Sequence, residues 1–203
     1  MKAFKKIACS FMALTMVIGL TACAPKTFEH KKLTDFLDDL DFDSCDEPED
    51  FYADYGTIIA SGRGDNLEGS YIHCEGRDAQ EIYDTVFNRF NDYKDYDVEE
   101  ATAFCLRDET GLGIGYLLTF EETKDAEKIF KKFAKDYIDD GEKGEEKTYS
   151  YYIEADTSVT SKEIYGGIYI RGNTVLIIRT LGVDSDFADD FAEVFGVISP
   201  TEG

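Results

Sequence analysis

The sequence predicts an α+β domain: an antiparallel sheet with helices on one face, built from about three hairpin-then-helix units. Three observations point to it. Paired strand patterns recur along the chain, each pair leads into a stretch of helical periodicity, and the starts of those helices repeat one another in residue type.

The first element is an amphipathic helix, because Leu33, Phe36, Leu37 and Leu40 follow the i, i+3, i+4, i+7 spacing of one helical face. An acidic, proline-containing loop is expected over 41–50. The first unit then places strands at 56–61 and 70–75 around Gly62-Arg63-Gly64-Asp65-Asn66. Asp78 is expected to cap a helix carrying Ile82, Tyr83, Val86, Phe87 and Phe90. The second unit places strands at 101–107 and 113–120 around Asp108-Glu109-Thr110-Gly111. Thr123 is expected to cap its helix, which carries Ile129, Phe130, Phe133, Tyr137 and Ile138. A further strand at 149–155 follows the charged stretch 139–147. The third unit pairs 166–170 with 174–181 through Arg171-Gly172-Asn173, a tight hairpin signal, and ends in a helix with Phe187, Phe191, Val194 and Phe195.

Asp78-Ala79-Gln80-Glu81-Ile82-Tyr83 is echoed by Asp125-Ala126-Glu127-Lys128-Ile129-Phe130 and more weakly by Asp186-Phe187-Ala188-Asp189-Asp190-Phe191. Carboxylates in these first turns suit the positive end of the helix dipole. The order β-α-β-β-α-β from Ser70 to Ala155 also permits a ferredoxin-like arrangement as an alternative.

The N-terminus carries a different kind of signal. Lys2, Lys5 and Lys6 precede an uncharged, mostly apolar stretch from Ile7 to Leu20, which at 14 residues is short for a span that needs about 20. Leu20-Thr21-Ala22-Cys23 follows and resembles the lipobox of bacterial lipoproteins. That resemblance implies cleavage between Ala22 and Cys23 and diacylglyceryl modification of the Cys23 sulfur. Two acyl chains give the stable anchoring that one does not. The expected organisation is a signal peptide at 1–22, a lipidated Cys and short tether at 23–30, and one α+β domain at 31–203. The expected location is extracytoplasmic, lipid-anchored to the bacterial cell membrane. In composition and export signal the chain resembles small acidic lipoproteins of bacteria to which no role is assigned.

Loss of 1–22 removes three of the 21 basic residues and none of the 43 acidic ones, so the formal charge moves from −22 to −25. That excess opposes nucleic-acid binding, which depends on Lys and Arg neutralising phosphates. The retained Phe and Tyr provide apolar surface for a packed core, which separates the domain from a disordered acidic tail. The partners implied are the membrane, through the lipid on Cys23, and a protein, peptide or glycan; no nucleic acid and no cofactor are expected.

Chemistry-bearing residues are few. His30 and His73 are the only histidines. His73 adjoins Cys74, but neighbouring strand residues point to opposite faces, so the two cannot form a nucleophile–base pair; Cys105 could meet His73 only across paired strands. With Cys9 removed and Cys23 lipidated, Cys45, Cys74 and Cys105 remain, an odd number with no CxxC spacing. Asp41, Asp43, Asp46 and Glu47 offer oxygen ligands for calcium, without EF-hand spacing. Arg63-Gly64-Asp65 reads as an ordinary turn. Gly111, Gly113 and Gly115 open a strand, so they serve a hairpin and close backbone contact rather than a phosphate loop.

Tyr149, Tyr151, Tyr165 and Tyr169 form the expected ligand-binding face, since aromatic surfaces take sugar rings and peptides. HExxH, GxSxG and SxxK motifs are missing from the sequence. This favours a non-catalytic binding module over an extracytoplasmic enzyme or a calcium-binding surface domain.

Overall fold

The computed structural model describes residues 27–61, 66–87, 96–138, 141–156 and 162–203. The expected cleavage and lipidation site at Ala22–Cys23, and Arg63-Gly64-Asp65, lie outside these residues. The described chain is α+β and runs α1 (His30–Asp39), β1 (Asp43–Cys45), α2 (Pro48–Ser61), β2 (Glu68–Glu75), α3 (Gly76–Phe87), β3 (Val98–Arg107), β4 (Leu112–Phe120), α4 (Thr123–Tyr137), β5 (Glu142–Glu145), β6 (Ser150–Asp156), β7 (Ile164–Arg171), β8 (Thr174–Leu181) and α5 (Ser185–Phe195), closing on a 3-10 turn at Pro200–Glu202.

The strands form one sheet in the order β1-β2-β3-β4-β8-β7-β6-β5. Every neighbouring pair is antiparallel except β1 with β2, which is parallel, so the sheet is mixed. Both edges are short and polar: β1 reads Asp-Ser-Cys and β5 reads Glu-Lys-Gly-Glu. Such edges discourage pairing with another chain, and their lack of apolar alternation explains why neither is expected from the sequence.

The expected helix layer on one face is corrected to two layers. Ile72, Ala103, Cys105, Leu118 and Ile168 face α2, α3 and α4 in one apolar cluster. Tyr71, Phe104, Leu117, Leu176 and Tyr169 face α1 and α5 in the other. Alternating strand residues feed both clusters, so the central strands are buried on both sides.

The second and third hairpin–helix units are present as β3-β4-α4 and β7-β8-α5. The first is not. Residues 56–61 belong to α2, where a strand is expected. Pro48 opens that helix with Glu49 and Asp50 in its first turn, and Phe51, Tyr55 and Ile58 form a stripe at i, i+4, i+7 that packs on the sheet. That stripe outweighs the β-propensity of the Thr57-Ile58-Ile59 run.

The ferredoxin-like alternative is also absent, because β2 and β3, the strands joined by α3, are adjacent and antiparallel rather than parallel with a strand between them. The caps shift as well. Asp78 lies in the first turn of α3, Thr123 is the first helical residue of α4, and Asp184 caps α5 by accepting from the Asp186 N–H at 3.1 Å. The hairpin between β7 and β8 is a two-residue turn, Gly172-Asn173, with Gly172 at φ 63°.

Candidate functional site

Both histidines of the chain meet at one place on the α1/α5 face of the sheet. The register explains how. His73 of β2 lies opposite Thr102 of β3, and Glu100, two residues earlier on β3, lies opposite Thr119 of β4. Residues i and i+2 on a strand share a face, so His73, Thr102, Glu100 and Thr119 project to the same side.

A register shift between Val98 and Glu100 then puts Val98 on the other face. Val98 is buried in the α2–α4 cluster, whereas Glu100 emerges on the opposite face. In a regular strand Val98 and Glu100, two residues apart, would share a face; the unpaired Glu99 breaks that alternation, as β-bulges do. His30, the first residue of α1, drops onto the group from above and is buried.

The Thr102 hydroxyl sits between the two rings, 2.8 Å from His30 Nδ1 and 3.0 Å from His73 Nδ1. The Thr119 hydroxyl lies 2.9 Å from His30 Nε2. Each Nε2 faces one oxygen of the same carboxylate: His30 Nε2 is 3.7 Å from Glu100 Oε2 and His73 Nε2 is 3.7 Å from Glu100 Oε1. The ring centroids are 5.4 Å apart.

Burial and the neighbouring His73 push the His30 imidazole down to about 3, so it is neutral at ordinary pH and its contact with Glu100 is not an ion pair. Burial raises the Glu100 carboxyl, with His73 opposing and Glu75 and Glu99 adding to the rise. Access is graded: the side chain of His30 is 5 % exposed, those of His73 and Glu100 are 35 % and 31 % exposed. Two imidazole nitrogens and a carboxylate converge beside solvent, a donor set suited to a borderline transition metal.

Among the described residues this is the one group of three or more His, Cys, Asp or Glu side chains whose ligand atoms all lie within 4.8 Å of one another. The acidic stretch does not gather in that way. Asp43 is in β1, Asp41 takes a left-handed conformation at φ 58° just before it, and Asp46 and Glu47 follow in the bend that leads into α2.

The four tyrosines are placed under the C-terminal segment. Tyr169 is fully buried and donates its hydroxyl to the Ile198 carbonyl at 2.7 Å, while the Tyr149 oxygen accepts from the Ile198 N–H at 3.1 Å. Tyr151 is buried in the same cluster, and Tyr165 is buried and donates to Glu163 at 2.6 Å. Tyr151, Tyr165 and Tyr169 are thus buried, and Tyr149 is half-buried.

Cys45, Cys74 and Cys105, the cysteines among the described residues, are free thiols. Cys105 lies on the α2–α4 face and His73 on the opposite one, so the sheet separates them. An apolar cavity of about 200 Å³ on the α2–α4 side is lined by Tyr55, Phe87, Ile114, Tyr116, Ile168 and Ile177, and it shares no residue with the histidine cluster.

Sequence reasoning misses His30 as a site residue because it falls in the expected tether, and Glu100 because the expected strand starts one residue later. The usable signal is scarcity: a chain with two histidines brings both to one carboxylate. No protein-family model matches the chain, and no curated protein or solved structure matches it either.

Proposed function

We propose that the chain is a lipid-anchored, extracytoplasmic binding module of a bacterial cell, with its ligand chemistry at the His30–His73–Glu100 cluster. The lipobox Leu20-Thr21-Ala22-Cys23 behind Lys2, Lys5, Lys6 and a short apolar stretch supports the anchor. Among the described residues no helix is long and apolar enough to cross a membrane. His30 lies seven residues after Cys23, so the cluster is held close to the anchored end of the chain.

The convergence of two imidazoles and a carboxylate carries the binding part of the reading. Partners in reach are the membrane itself, through the lipid, and proteins, peptides or glycans of the envelope. The net charge of −22 argues against nucleic acid.

Membrane fractionation tests the anchor. The natural chain should sediment with membranes and label with radioactive fatty acid, and Cys23→Ala should do neither. Equal membrane association of the two would overturn the lipid anchor.

A further inference from the structure

We propose that His30, His73 and Glu100 are three protein ligands of a zinc ion that fastens the tether-proximal helix to the sheet. The inference deepens the binding-module reading and rests on it for the location of the ligand site.

The geometry favours a metal over a simple hydrogen-bonded core. The Thr102 hydroxyl oxygen has two acceptor lone pairs, and both Nδ1 atoms lie within hydrogen-bond distance of it. When it accepts both Nδ1–H groups, both rings carry a lone pair on Nε2, and that of His30 accepts from the Thr119 hydroxyl at 2.9 Å, a bond that a metal would replace. The two Nε2 atoms are the nitrogens that face Glu100. Metal-binding histidines are oriented in this way, with the other ring nitrogen donating to a fixed acceptor.

The separations are near what a metal needs. Bonds of about 2.0–2.2 Å around tetrahedral zinc place neighbouring ligand atoms roughly 3.4 Å apart. The two nitrogen–oxygen separations here are 3.7 Å, and all three ligand atoms lie within 4.8 Å of one another. Glu100 has no Lys or Arg in an ion pair with it among the described residues, and its two oxygens are turned toward the two imidazole Nε2 atoms. A cation at their centre satisfies all three.

The donor set selects the ion. Imidazole nitrogen with carboxylate oxygen suits zinc and its neighbours, whereas calcium and magnesium prefer all-oxygen cages. The exposed edges of His73 and Glu100 leave the fourth position to water or to a partner's side chain. The three ligands come from α1, β2 and β3, far apart in sequence, so the ion ties the start of α1 to the sheet. Phe28, two residues before His30, is tied down already: its N–H donates to Thr174 Oγ1 at 2.9 Å and its ring lies 4.3 Å from the Arg171 guanidinium carbon.

Calorimetric titration of the purified full chain with zinc, and visible spectroscopy with cobalt as its substitute, test the site. Wild type should bind one ion per chain, give a tetrahedral cobalt spectrum without sulfur-to-metal charge transfer, and melt at a higher temperature with zinc than without. His73→Ala and Glu100→Gln, at positions partly open to solvent, should each weaken binding at least tenfold and abolish the zinc-dependent rise in melting temperature. Thr102→Val, which keeps the shape but removes the acceptor, should weaken binding about 10- to 100-fold.

Stoichiometric zinc binding that survives in the His73→Ala/Glu100→Gln double variant would overturn the proposal. So would a cobalt spectrum showing thiolate ligands, or no binding by wild type. None of these outcomes bears on membrane fractionation of Cys23→Ala, so failure of the metal site and failure of the lipid anchor are separable.

Discussion

Gly115 of β4 lies directly opposite Phe104 of β3, and the Phe104 ring covers the space where a side chain at position 115 would begin. Phe104 packs in turn against Phe187 and Phe191 of α5, with ring centroids 6.1 and 5.9 Å away. The glycine therefore sets how closely α5 approaches the sheet. Gly113 makes a similar approach, where an added carbon would meet Thr180 at 3.1 Å. The Gly111, Gly113, Gly115 run is thus a strip of close contacts, as its position at the start of a strand suggests.

Gly115→Ala should force Phe104 off its position and destabilise the domain by about 1–3 kcal/mol, the usual cost of overpacking a filled core. Urea unfolding followed by tyrosine fluorescence measures it. A midpoint equal to that of wild type would show that the Phe104 ring has room to move.

The C-terminal turn is fixed by Asp189, whose carboxylate accepts from Ser199 Oγ at 2.5 Å and from Thr201 Oγ1 at 2.6 Å. Those two bonds hold the Asp189 carboxyl below the usual carboxylate range. A depressed folded value means that the group's stabilising contribution is complete above the unfolded value, about 3.9, and is lost as pH falls through the folded one. Asp189→Asn should accordingly be less stable than wild type at neutral pH, with the gap narrowing as the solution is taken below about pH 4. A gap independent of pH would assign the variant's effect to something other than this carboxylate. Because Asp189 is exposed, the expected gap is small.

The thiols offer a third check. Burial first, and nearby carboxylates with it, push Cys45 up to about 11 and Cys74 up to about 12, and burial pushes Cys105 up to about 12. The reactive species is the thiolate, so all three should react slowly with a thiol reagent in the folded protein near pH 8 and rapidly in denaturant. If cleaved and lipidated at Cys23 as proposed, the chain should titrate three thiols when unfolded, against five for the full unlipidated chain. Rapid reaction of any of the three in the native state would contradict the burial shown here.

What the sequence shows and what it hides divide along physical lines. α1 is legible from Leu33, Leu37 and Leu40, and the β7–β8 hairpin from Gly172-Asn173, because short-range spacing and turn chemistry are written locally. α2 is misread because Ile58 and Ile59 favour strands in isolation; the partner of its Phe51-Tyr55-Ile58 stripe, the sheet, exists only after folding. β1 and β5 are hidden because edge strands with one neighbour carry little apolar patterning. The two-sided burial of the sheet is hidden for a related reason: an apolar residue on a strand does not say which helix will cover it.

The sequence by itself determines the acidic charge, the α+β class and two of the three hairpin–helix units, and it carries the resemblance to a lipobox at Leu20-Thr21-Ala22-Cys23. Those are properties of composition and of contacts between near neighbours. Only the tertiary structure decides that β1 pairs in parallel, that helices cover both faces, and that His30, His73 and Glu100 meet. That meeting requires α1 to lie across the sheet and β2 to pair with β3 in one register, while a bulge at Glu99 keeps Val98 on the other face. Each is a long-range relationship, set by packing free energy over the whole sheet rather than by any local run of residues.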